Sequence, residues 1–91
     1  MATGWPVKDP DAKLDYSFDW SEWLEEGDTI SASTWIVPDG ITSDHETNTT
    51  TTTTIWLTGG TIGESYEITN HIVTADGRED DRTAKIKIKS R

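Results

Sequence analysis

The chain has 91 residues, five tryptophans, no cysteine and a formal net charge of −9. That is room for one domain, which buries only roughly 60–65% of the surface its unfolded chain exposes, so large side chains must carry its stability. A disulfide framework and a thiolate metal site are excluded by the missing cysteines. Binding to nucleic acid through phosphate contacts is excluded by the acidic charge.

Residues 1–13 show no strand pattern. Trp5, Pro6 and Pro10 are interspersed with Lys8, Asp9 and Asp11, which predicts an extended N-terminal arm. Trp5 is expected to pack on its own domain in preference to a neighbour, because an isolated indole in water wastes its apolar area. The domain proper is then 14–91. The N-terminus also lacks a basic region followed by an apolar run, so no secretory signal is expected. No apolar run approaches the roughly 20 residues that span a bilayer, so no membrane partner is expected.

The first alternating run is Leu14, Tyr16, Phe18 and Trp20, with Asp15, Ser17 and Asp19 between them. This predicts a strand with one buried and one wet face. Trp23 and Leu24 break the alternation and predict a bend, and Glu26-Gly27-Asp28 a turn. The second run is Thr29 to Val37, with Ile30, Ala32, Thr34 and Ile36 on one face and Trp35 and Val37 on the other. Pro38-Asp39-Gly40 ends it with turn chemistry. Ile41 to Asn48 is polar and predicts a short edge strand.

Thr49 to Thr54 is an unbroken threonine tract that runs into Ile55-Trp56-Leu57. Threonine suits a pleated surface, so the tract is expected to be a strand and not a stalk. Its register is not legible: Ile55 and Leu57 face inward with Trp56 outward, or the reverse. After the Gly59-Gly60 turn comes Tyr66 to Ala75, with Tyr66, Ile68 and Ile72 of one parity and Asn70 between them. Asp76 to Asp81 is expected to be an acidic loop. Thr83 to Lys89 closes the chain with the clearest alternation, Ala84, Ile86 and Ile88 against lysines that guard an edge.

Six to seven short strands with turn signals between them predict an all-β, immunoglobulin-like antiparallel β-sandwich with an extended N-terminal arm. Tyr66 stands where such folds place a tyrosine whose hydroxyl bonds back to backbone a few residues upstream; an ordinary core tyrosine is the alternative. Trp5, Trp20, Trp23, Trp35, Trp56 and Tyr66 are the structural or interface candidates, since aromatic residues carry both cores and interfaces.

Catalytic chemistry finds little support. His45 lies in a polar stretch and His71 within a strand, neither beside a nucleophile motif, and no phosphate-cradling glycine loop or paired-histidine metal motif is present. No cofactor is expected. Calcium is the one metal that an Asp76–Asp81 loop would suit, although Arg78 and Arg82 flank it and a solvated hairpin tip explains the same residues.

The strings Trp5-Pro6-Val7-Lys8-Asp9-Pro10-Asp11-Ala12, Leu14-Asp15-Tyr16, Asp19-Trp20, Gly27 to Trp35, Ile55 to Thr61, Gly63 to Tyr66 and Thr69-Asn70 resemble a family of short virion proteins of tailed bacteriophages and prophages, encoded among head and head–tail genes. The resemblance implies a non-catalytic virion protein assembled in the host cytoplasm. It implies capsid or other virion proteins as partners, with self-association or lattice attachment and no direct nucleic acid contact. Decoration or stabilisation of the capsid is the leading expectation. A head–tail connector or tail component is the second, and a carbohydrate- or cell-surface-binding module, stacking sugars on Trp35 and Trp56, the third.

Overall fold

The computed structural model describes residues 2–89. Seven strands follow one another: β1 (Ala2–Gly4), β2 (Leu14–Asp19), β3 (Ile30–Ile36), β4 (Ile41–Asn48), β5 (Thr52–Gly59), β6 (Ser65–Thr74) and β7 (Glu79–Lys87). They form a four-stranded sheet ordered β1-β7-β6-β3 and a three-stranded sheet ordered β2-β5-β4. Every pair is antiparallel except β1 with β7. Because β2 and β3 lie in different sheets, as do β3 and β4, and β5 and β6, the chain crosses between layers three times after β2. This is the immunoglobulin-like connectivity, and the expected fold class holds.

Period-two burial builds the core. Ile55 and Leu57 face inward from β5, Ile68 and Ile72 from β6, and Ala84 and Ile86 from β7, all with no exposed surface. One cluster gathers Tyr16, Ile41, Ile55, Leu57, Ile68, Ile86 and Ile88, and a second Phe18, Trp20, Ile30, Ile72 and Ala84; Trp5 and Trp35 pack against both. The register left open on β5 resolves with Trp56 outward. The threonine tract divides: Thr49 Oγ1 accepts hydrogen bonds from the Thr51 and Thr52 amides to form a turn, and the strand begins at Thr52.

Four expectations need correction. The last strand is not an exposed edge, because β7 lies between β1 and β6. In β3 the register shifts between Ile30 and Ala32, so Ser31 is an extra residue. Ile30 is buried, but Ala32, Thr34 and Ile36 then face solvent while Trp35 turns inward; these four do not share one face. The acidic stretch is not all loop, because Glu79, Asp80 and Asp81 are the first residues of β7 and pair with Val73, Ile72 and His71. Finally, the N-terminal segment is extended but does not stand apart. β1 runs parallel to β7, the Trp5 amide donates to Lys85 O, the Lys8 amide donates to Lys87 O, and Lys8 bridges to Ile88. Met1 lies outside the described residues.

The Tyr66 hydroxyl accepts a hydrogen bond from the Thr61 amide at 3.1 Å, five residues upstream. The same ring lies over Gly40, where a Cβ would come within 2.9 Å of the hydroxyl, and Gly40 has φ +101°. Only glycine suits both the left-handed backbone and the close approach. Tyr66 therefore ties the β5–β6 corner to the β3–β4 turn.

Candidate interaction surface

The interior holds polar groups that join the sheets. Trp20, with no exposed surface, donates Nε1–H to both Thr53 Oγ1 (3.2 Å) and Asn70 Oδ1 (3.1 Å). Thr53 also donates to Asn70 Oδ1 at 2.6 Å. The Asn70 amide donates to Ser33 Oγ and Thr34 O, each at 2.9 Å. Residues from β5, β6 and β3 and the end of β2 are thus held by one satisfied network, which buried polar atoms need. Trp35 Nε1 differs, being buried with no acceptor among the described residues.

Lys8 makes a second lock. It has no exposed surface, and its ammonium donates to Asp9 O (2.9 Å) and Gly59 O (2.8 Å), reaching from beside β7 to the end of β5. Burial lowers its pKa, against the opposing influence of the Asp9 and Asp11 carboxylates.

Aromatic rings continue outward from the core. Trp5 stacks on Tyr16 (4.9 Å between centroids) and contacts Phe18 (5.0 Å) and Trp35 (6.4 Å). Trp20 meets Trp23 edge-on at 5.5 Å. Arg82 lies 4.0 Å over Trp20, and Arg78 lies 4.5 Å over Trp23, which is half-buried. On the far side of the three-stranded sheet, Trp56 stacks with His45 at 5.2 Å. The candidate tryptophans therefore divide: Trp5, Trp20 and Trp35 are structural, Trp23 reaches the surface at one end, and Trp56 alone lies on an outer sheet face. A sugar platform built from Trp35 and Trp56 together is not assembled.

The two ends of the sandwich differ in chemistry. At one end stand the β2–β3 and β6–β7 connections and the strand ends that enter them. They carry Asp19, Glu22, Glu25, Glu26, Asp28, Asp76, Glu79, Asp80 and Asp81 against Arg78 and Arg82. Nine carboxylates and two arginines leave −7 of the chain's −9 at this end. Asp19 titrates below its usual range because the Ser21 amide and hydroxyl donate to it. For Asp28, burial is the largest influence and pushes upward. It is outweighed by donors on Thr74, Asp76 and Thr29 and by the Arg78 charge, so the carboxyl again lies low. Among the described residues no three carboxylate or imidazole groups converge to hold a metal ion. The opposite end, formed by residues 5–13, Val37–Gly40 and Gly60–Glu64, holds the exposed large apolar side chains: Leu14 and Ile36 at strand ends and Ile62 in a loop.

His71 faces outward from β6 between two acids of β7. Its Nδ1 lies 2.5 Å from Asp81 Oδ1 and its Nε2 lies 3.0 Å from Glu79 Oε1. The Asp81 hydrogen bond and then the Glu79 bond favour the doubly protonated ring and raise its pKa above 6.5. A raised folded-state pKa adds stability that is complete below the unfolded value and disappears as pH climbs through the folded one. Denaturant titrations are expected to show wild-type stability declining above pH 6.5. The decline should flatten in His71→Gln, and an unchanged profile in that variant would show that the ion pairs do not form.

Among the described residues there is no ligand-sized cavity. A two-sheet sandwich of this connectivity with an aromatic core and two unlike ends defines a domain of the immunoglobulin-like class. The solved PKD domain from the KIAA 1837 protein shares this fold, with a TM-score of 0.56 and 16% identity over 99% of this chain and 81% of that one. Residues 8–87 match the model of the podophage GP4 fiber-tail adaptor protein gp77 family, and the chain belongs to that family. It is a bacteriophage virion structural protein, as the sequence resemblance implied. No curated protein matches the chain.

Proposed function

We propose that the protein is a non-catalytic adaptor of the phage tail, joining a fibre-side protein to a tail-side protein through its two unlike ends. The family match carries this reading, because the family is described as a fiber-tail adaptor. It favours the tail over capsid decoration. The geometry supplies a means. The molecule is 42 Å long, with a net charge of −7 at one end and exposed Leu14, Ile36 and Ile62 at the other. The acidic end suits a basic partner face, with Trp23 as a half-buried anchor of the kind that dominates interface energetics. The apolar end suits a partner that covers isoleucine and leucine.

Cross-linking mass spectrometry of purified virions tests this. Links from Lys13, Lys85 and Lys87 are expected to reach tail and fibre proteins, at few copies per particle. Links to the major capsid protein at a copy number matching the capsid lattice would replace the adaptor reading with decoration. Combining Glu22→Lys with Glu26→Lys is expected to abolish attachment at the acidic end and leave the other attachment intact. In the unaltered protein, that attachment should weaken as salt screens it.

A further inference from the structure

Strand β3 presents an open edge. It ends the four-stranded sheet, so one of its edges has no strand beside it among the described residues. Open edges are normally guarded by charge, proline or a bulge. β4 carries Asp44, His45 and Glu46 with a register shift at Asp44. β2 carries Asp15 and Asp19, and β1 lies beside the lysines of β7. Ile30 through Pro38 contains no charged residue, and its bulge at Ser31 and its proline stand at the two ends of the strand, so that residues 32–37 between them carry no guard. Ala32, Thr34 and Ile36 are exposed along it, Ile36 at 65%.

We propose that β3 pairs antiparallel with β3 of a second copy of this chain about a two-fold axis at Thr34, joining two sheets into one of eight strands. Three observations select this occupant and register. First, the usable edge is bracketed by the extra residue Ser31 and by Pro38, which has no N–H to offer; Thr34 is the midpoint between Ser31 and Val37. Second, pairing about Thr34 matches large with small: Ile36 faces the second copy's Ala32, Trp35 faces its Ser33, and threonine faces threonine, a favourable cross-strand pair. Third, the charge distribution demands opposite directions. The acidic end lies at the Ile30 end of β3, so antiparallel pairing sends the two acidic ends to opposite extremes of the dimer. Their separation then far exceeds the screening length of about 8 Å at physiological salt. A parallel pairing would place both acidic ends side by side.

Sedimentation equilibrium of the purified full chain is expected to show a dimer, and Ile36→Lys to raise its Kd about tenfold or more by placing a charge on the edge. Circular dichroism of that variant should remain that of the folded sandwich. Because the chain has no cysteine, single substitutions report the register. Thr34→Cys should form a covalent dimer under mild oxidation, since residues on the axis face each other at roughly 4.5–5.5 Å between Cα atoms. Ile36→Cys should not, because it faces the second copy's Ala32. A monomer at all concentrations would overturn the proposal, including the case in which Ile36→Lys still blocks incorporation into virions and the edge takes a strand from another protein. Equal cross-linking of both cysteine variants would overturn the register. None of these outcomes depends on whether the protein sits on the tail or the capsid.

Discussion

Trp20→Ala is expected to lower the melting temperature by about 20 °C, leaving a large unfolded fraction near 37 °C. The indole is completely buried between Phe18, Trp23 and the Arg82 guanidinium, and it reaches Thr53 and Asn70. Truncating a core tryptophan costs about 3–5 kcal/mol in transfer and cavity terms. A domain of this length holds roughly 5–13 kcal/mol in total, and each kcal/mol moves the midpoint by about 4–8 °C. Trp20→Phe separates packing from hydrogen bonding. It keeps an aromatic ring but removes the N–H, while Asn70 Oδ1 retains the Thr53 hydroxyl, so its loss should be about 1–2 kcal/mol. Differential scanning calorimetry decides the matter. If Trp20→Ala melts within about 5 °C of the parent, the indole is not what holds the sheets together at that end.

The alternation that places Trp20 inside is visible in the sequence from Leu14 onward. So are the strands around Ile68 and Ile86, because a half-buried strand must write its two faces as two kinds of residue. What escaped detection has physical causes. A single extra residue at Ser31 inverts parity for the rest of β3, and nothing in Ile30-Ser31-Ala32 marks it. The Glu79–Asp81 stretch reads as a loop by composition. Its strand character comes from backbone pairing with β6 and from His71, which lies opposite Asp81 and bonds Glu79 from the next row. β1 is three residues, Ala2-Thr3-Gly4, too short and too small to write an alternation. Lys8 is invisible as a core residue, since its burial depends on carbonyls 1 and 51 positions away. Of the candidate surface, the tryptophans were legible as a group. Their division into core and surface was not, because that depends on register. The charge separation between the ends emerges only once the topology brings residues 19–28 beside residues 76–82.

The second large effect concerns residues 1–8. Removing them is expected to cost about 4–6 kcal/mol, enough to bring a small domain close to its midpoint at room temperature. Two losses add. Trp5 stacks on Tyr16 and packs against Phe18 and Trp35, in contact with both core clusters. Its departure opens a hole where they meet, at a cost of about 3–4 kcal/mol. Without Lys8, Gly59 O loses its donor near a corner that has no slack, because a Cβ on Gly60 would already strike Ile88 at 2.7 Å. An unsatisfied carbonyl there costs about 1–2 kcal/mol. Lys8→Met isolates the second loss, since it keeps an apolar stem of similar length and drops only the ammonium. Urea denaturation of the three proteins distinguishes two descriptions of the segment. An arm built for a neighbour would come off with the remaining domain's stability unchanged. A strand belonging to the fold would take most of the stability with it, and Lys8→Met would fall between. The parallel pairing with β7 and the ammonium bridge to β5 make the second result the expected one, so that attachment in the particle must use surfaces other than Trp5.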